Sequence, residues 1–158
     1  LEKNQYIKLN NFLDGIPEIF TNNNKEIKLI FNKHKDDLEI LANKNKLIQV
    51  FINLIENSIS LSPKRSKILI ELDKFDNKFI SLRFHDQGKG IDSKDSEKIF
   101  QRFYSDRHEN IKNHTGLGLS IAREIIGHMN GKISLDKSAK RDYPGACFLI
   151  ILPIRHSS

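Results

Sequence analysis

Three short stretches of this 158-residue chain combine residue types that suit one chemistry. Asp86-Gln87-Gly88-Lys89-Gly90-Ile91 begins with a carboxylate at the end of a strand-like run. An ionised carboxylate there accepts the exocyclic amine of adenine and repels the carbonyl that guanine presents. A site built on such a bond discriminates strongly. Gly88 and Gly90 let the backbone approach a flat base that a Cβ would block. A tight turn that simply wants Asp and Gly is the alternative. Thr115-Gly116-Leu117-Gly118-Leu119 sits between a polar loop and a helical pattern. Uncovered N–H groups at a helix start attract phosphate oxygens, and the helix dipole adds to the attraction. No Gly-Lys-Ser/Thr is present, so this is not a P-loop; a glycine-rich helix cap is the other reading. Asn53 and Asn57 lie four apart on a helical pattern and share a face. Their neutral amide oxygens suit a hard cation such as Mg²⁺, which takes few protein ligands and leans on phosphates and water. Otherwise they are polar surface residues. Taken in order, the three stretches make a purine-triphosphate pocket with a metal site.

The elements that must position these residues are legible from periodicity. Asn43 opens a strong helix in which Leu47, Val50, Phe51, Leu54 and Ile55 form one buried stripe, and Pro63 stops it. Asn53 and Asn57 fall at the rim of that stripe, and Glu56 points to solvent. Lys67–Asp73 and Lys78–His85 read as strands that deliver Asp86. A second helix starts at Thr115, buries Ile121, Ala122, Ile125, Ile126 and Met129, and ends at Asn130-Gly131. Ahead of these, Tyr6–Leu9 reads as an edge strand and Asn11–Thr21 as a helix capped by Asn10 or Asn11. Glu26–Asn32 and Leu38–Leu41 read as a hairpin. Ser93–Phe103 reads as a short helix, Ser105–His114 as a loop, and Lys132–Asp136 and Gly145–Pro153 as closing strands. Hairpins mixed with helices predict an α+β fold: one mixed sheet with helices on one face.

Length fits one domain, spanning 1–158, with a real core. The formal charge is +6, but the basic residues are dispersed and tryptophan is absent. That argues against nucleic acid as a partner and leaves an acidic protein or a polyphosphate. Cys147 is the only cysteine and lies in an apolar run, so it reads as a small buried hydrophobe. No apolar stretch approaches the ~18 residues of a membrane span. The chain begins at Leu1 and its only methionine is Met129, so we expect a fragment of a longer protein.

The motifs together carry a family resemblance. Asn53-Leu54-Ile55-Glu56-Asn57-Ser58 resembles the N box of sensor histidine kinases, and Asp86-Gln87-Gly88-Lys89-Gly90-Ile91 their G1 box. Ile99-Phe100-Gln101-Arg102-Phe103-Tyr104 is similar to the F box, and Thr115-Gly116-Leu117-Gly118-Leu119 to the G2 box. The resemblance implies the Bergerat ATP-binding fold, a two-layer α/β sandwich, with ATP and Mg²⁺ as cofactors. It implies that Asp86 reads adenine, with Gly88, Gly90, Ile91 and Phe103 lining the nucleotide. Asn57 holds Mg²⁺ with Asn53 nearby, and Thr115, Gly116, Leu117, Gly118 and Leu119 cradle phosphates. Ser105–His114 is the lid, pinned at its start by Phe100 and Phe103. The implied reaction moves the γ-phosphate of ATP to a histidine on a separate dimerisation domain, then to a response regulator. The domain is then cytoplasmic and monomeric in isolation. The parent protein is a homodimer in the inner membrane, and residues 1–6 can form the tail of the preceding dimerisation helix.

This sequence departs from the family pattern in places. His114 replaces the usual first glycine of the G2 box, and Ser60 and Leu61 replace a lysine and an aromatic. Arg102, Arg107 or His108 then supplies positive charge, with Arg102 the candidate for catalysis. Hydrolytic relatives carry a glutamate base where Asn53 stands, and an amide cannot take a proton. None of the six histidines has the context of a phosphoacceptor, and each reads as a surface residue. The alternatives are a degenerate nucleotide-binding interaction module and a hydrolytic ATPase of the same superfamily.

Overall fold

A computed structural model of the chain describes residues 3–20, 23–102, 104, 117–137 and 140–155. Strand β1 (Gln5–Lys8) leads into helix α1 (Leu9–Gly15) and a 3-10 turn (Pro17–Phe20). Strands β2 (Lys28–Asn32) and β3 (Glu39–Ala42) follow, then helix α2 (Lys44–Leu61) and strands β4 (Lys67–Lys74) and β5 (Phe79–His85). Two 3-10 turns (Ser93–Asp95 and Lys98–Phe100) precede helix α3 (Gly118–His128) and strands β6 (Lys132–Leu135) and β7 (Cys147–Pro153).

The chemistry of α2 sets its limits. The Asn43 side chain accepts a hydrogen bond from the Lys46 N–H at 3.0 Å, satisfying one of the donors a helix start leaves open. Ser62, before Pro63, is extended and ends the helix, as a residue preceding proline prefers. Asn43→Ala is expected to cost about 1 kcal/mol, a melting temperature lower by ~2–4 °C in a thermal scan.

Five strands form one sheet in the order β2-β4-β5-β7-β6. β2 and β4 are parallel, and the other pairs are antiparallel. Register aligns Ile70, Phe84 and Phe148 across the sheet, and Leu72, Leu82, Ile150 and Ile133 in the next row. These side chains are buried with the apolar stripes of α2 and α3. Phe51 joins the layers, edge-on to Phe84 at 5.1 Å and to Phe12 at 5.0 Å. The α+β expectation holds.

Several local expectations change. β2 and β3 do not form a hairpin. β2 pairs with β4, while β3 pairs with β1 in a separate two-stranded sheet. Alternation identifies strands but not partners. The connecting segment crosses between sheets under the Asn10 side chain, which donates to His34 O and accepts from His34 N–H. Asn10 therefore braces this loop and caps nothing: α1 starts after Lys8 with no side-chain cap. The helix expected over Asn11–Thr21 starts earlier and gives way to a 3-10 turn at Pro17, which has no N–H to continue it. Gln5 and Tyr6 are extended, not the tail of a helix. In place of the helix expected over Ser93–Phe103, the described residues form two 3-10 turns, and among them only Asp95, Ile99 and Phe100 find burial there. The expected lid, with Phe103, Thr115 and Gly116, lies outside the described residues.

Candidate functional site

Asp86 follows β5 directly and is fully buried. Its Oδ1 accepts from the Gly88 N–H at 2.9 Å and the Ala146 N–H at 3.1 Å. Its Oδ2 is buried with no partner among the described residues. A buried acceptor left unmatched costs about 1–3 kcal/mol. Burial pushes the carboxyl above its ordinary value, and the two N–H donors pull it partly back. This oxygen therefore keeps an acceptor position that no described residue fills.

Backbone bonds fix the carboxylate from behind: Asp86 N–H donates to Ala146 O, and Gly145 N–H donates to Asp86 O, both at 3.1 Å. Glycine is required at two contacts here. A Cβ on Gly145 would stand 1.9 Å from Asp86 Oδ1, and one on Gly88 would stand 2.2 Å from Leu61 O. Gly90 has φ +82°, in the left-handed region. Ile91 packs half-buried against the core. The C-terminal end of α2, the Asp86–Ile91 segment and the start of β7 thus meet at one place.

The other expected residues lie further back on α2. Asn57 is 9% exposed, and Asn53, one turn earlier, is half-buried. The Asn53 side-chain amide donates to Gly118 O at 3.0 Å, tying α2 to the first turn of α3. Among the described residues, the first bond of the α3 ladder runs from Ile121 N–H to Leu117 O. The N–H groups of Gly118, Leu119 and Ser120 therefore stand ahead of the ladder, where a helix presents donors. The Asn53 amide bond brings Asn53 to Gly118, with Leu117 and Leu119 on either side of Gly118 in sequence and Asn57 one turn along α2. Arg102 is exposed just past the second 3-10 turn. Phe100 is buried edge-on to Phe148, with the Arg123 guanidinium over its ring at 4.9 Å.

Gly145 and Ala146 are site residues that the sequence reading missed. Their role is a contact 60 positions from Asp86, and locally Gly145 is one glycine after a proline. The histidine expectation also needs correcting, since His85 is only 2% exposed. Strand alternation turns it away from Phe84 and toward Tyr143, and its Nε2 bonds Glu71 Oε1 at 2.7 Å. Burial lowers its pKa, against the pull of Glu71. Cys147 is buried as expected, and burial pushes its thiol up to about 12, out of nucleophilic range.

Residues 42–156 match the family model described as histidine kinase-, DNA gyrase B-, and HSP90-like ATPase. Sensor protein ChvG of Rhizobium meliloti (strain 1021) is 36% identical over 110 residues, which are 66% of this chain and 19% of that protein. The chain spans about a fifth of that relative's length. The nucleotide-free catalytic domain of histidine kinase ThkA superposes with a TM-score of 0.79 at 27% identity, covering 96% of this chain and 97% of that one. ThkA in complex with the response regulator TrrA gives 0.75 at 25% identity, covering 95% of this chain and 41% of that one.

Proposed function

The chain belongs to the histidine kinase-, DNA gyrase B-, and HSP90-like ATPase family, and from that membership we propose that it is the ATP-binding catalytic domain of a sensor histidine kinase. The observation that carries this reading is the buried, unmatched Oδ2 of Asp86 beside two glycines that no side chain can replace. Oδ2 accepts the adenine amine, while Gly88, Gly90 and Ile91 lie against the base. The N–H groups at the start of α3, with Thr115 and Gly116 ahead of them, take the phosphate oxygens. Asn57, with Asn53 beside it, offers amide oxygen to Mg²⁺, which when bound neutralises phosphate charge. A neutral amide oxygen is a hard donor that suits that ion, whose shell phosphates and water would complete. In sequence, Arg102 and Phe103 come just before the segment that links the F and G2 boxes.

The reaction breaks the bond from the γ-phosphorus to the bridging oxygen and forms one to an imidazole nitrogen. Such transfer needs positioning and charge neutralisation more than a nucleophile from the enzyme. Asn53 supports transfer over hydrolysis, because its amide is committed to Gly118 O and takes no proton from water. The acceptor histidine belongs to a dimerisation domain of the parent protein, and a response regulator takes the phosphate next. The ThkA–TrrA complex supports that partner class. We place the domain in the cytoplasm, in a homodimeric parent anchored in the inner membrane. No helix among the described residues is long and apolar enough to cross one.

Calorimetric titration tests the reading: ATP is expected to bind, GTP is not, and absence of heat with ATP refutes it. Asn57→Ala is expected to remove the Mg²⁺ enhancement of ATP affinity, seen by titrating with and without the metal. A steady ATPase rate from the isolated chain would favour the hydrolytic alternative.

A further inference from the structure

The C-terminal end of α2 is held by a residue from outside the four motifs. Lys25 Nζ donates to three carbonyl oxygens there: Ile59 O at 2.9 Å, Ser60 O at 3.1 Å and Ser62 O at 2.8 Å. An ammonium has three donors, and these three bonds fall on carbonyls at the helix end, of which Ile59 O also accepts from the Ser62 N–H at 3.2 Å. The charge also opposes the negative end of the helix dipole.

The segment that presents Lys25 is itself braced. Asn23 spans it, its Oδ1 accepting from Ile27 N–H at 2.8 Å and its Nδ2 donating to Ile27 O at 2.9 Å. Glu26 takes φ +53°, a conformation that a residue with a Cβ seldom adopts. Across from it, Arg65 takes φ +62° and its N–H donates to Lys25 O at 2.8 Å. Two left-handed residues thus lock the turn before β2 to the turn after α2. Ser60 Oγ to Asn57 O and Ser62 Oγ to Ser58 O engage the preceding carbonyls. The carbonyl of Leu61 is directed at Gly88, where a Cβ would stand 2.2 Å away.

We propose that Lys25 is a positioning residue for the nucleotide: by gathering the last carbonyls of α2 it sets where the helix end meets Gly88 and where Asn57 stands relative to Asp86. The claim rests on the ATP-binding reading, but its consequence for Gly88 does not.

The test compares the full 158-residue chain with Lys25→Met, Lys25→Arg and Asn23→Ala, each well below its melting transition. Ile133→Val, in the edge strand β6, serves as a distant destabilised control. Hydrogen exchange without nucleotide is expected to accelerate at the Gly88 amide and the last turn of α2 in Lys25→Met, and to stay slow in the β5–β7 ladder. ATP affinity is expected to fall about five- to tenfold in Lys25→Met, less in Lys25→Arg, which keeps the charge and some donors although a flat guanidinium cannot converge on three oxygens, and not at all in Ile133→Val. Unchanged exchange at Gly88 in Lys25→Met overturns the proposal, as does wild-type ATP affinity. If Lys25→Met does not fold, Asn23→Ala decides by the same two readouts. A wild-type chain that binds no ATP defeats the functional reading, and exchange at Gly88 still judges Lys25.

Discussion

Asp86→Asn is expected to weaken ATP by about ten- to a hundredfold, the loss of one charge-assisted hydrogen bond worth about 1.5–3 kcal/mol. Calorimetry measures it, and unchanged affinity would remove Asp86 from the adenine role. The environment of this carboxyl adds a pH signature. Burial raises its pKa in the free protein, and the adenine amine favours the ionised form. Affinity is therefore full near neutrality and falls as pH drops through the raised value. Stability of the nucleotide-free domain moves the other way. The folded state holds its proton more tightly than the unfolded chain, so it loses stability as pH rises from the ordinary carboxylate value through the raised one. Both trends should disappear in Asp86→Asn, which keeps the shape and removes the titration.

Gly145→Ala is expected to have the larger effect. The added methyl would stand 1.9 Å from Asp86 Oδ1, 2.6 Å from Gly88 N and 2.8 Å from Asp86 O. Two of those atoms are backbone, and the third belongs to a carboxylate held by two N–H donors. No flexible side-chain end can move aside, so the start of β7 or Asp86 itself must shift. Overpacking of this kind costs about 1–3 kcal/mol of stability, and displacing a positioning group by about 1 Å costs on the order of a hundredfold in function. Titration with ATP and a thermal scan read the two losses separately. Near-normal affinity would mean that the seat of Asp86 tolerates movement, against the geometry described above.

What the sequence disclosed follows from how local each signal is. α2 was legible because its stripe, its Asn43 cap and its Pro63 stop all act within one helix. Asp86, Gly88 and Asn57 were legible as candidates because chemistry demands their residue types at short spacing. The hairpin misreading has the opposite cause. Whether β2 pairs with β3 or β4 is decided by Lys28 N–H bonding Ser66 O and by the Asn10 clamp on His34, neither of which leaves a periodic trace. Gly145, Ala146 and Lys25 escaped for the same reason, since each acts on a partner far along the chain. His85 reads as polar and therefore exposed, yet strand alternation and Tyr143 bury it beside Glu71.

The last of the described strands, β7, lies in the interior of the sheet, between β5 and β6, and it is preceded by the glycine that seats Asp86. During synthesis on a ribosome, residues 86–91 emerge well before Ala146 can donate its N–H to the Asp86 carboxylate. Under the proposed function, a product cut short before residue 145 is expected to carry the recognisable motifs without binding ATP, which titration of such a truncated chain would check.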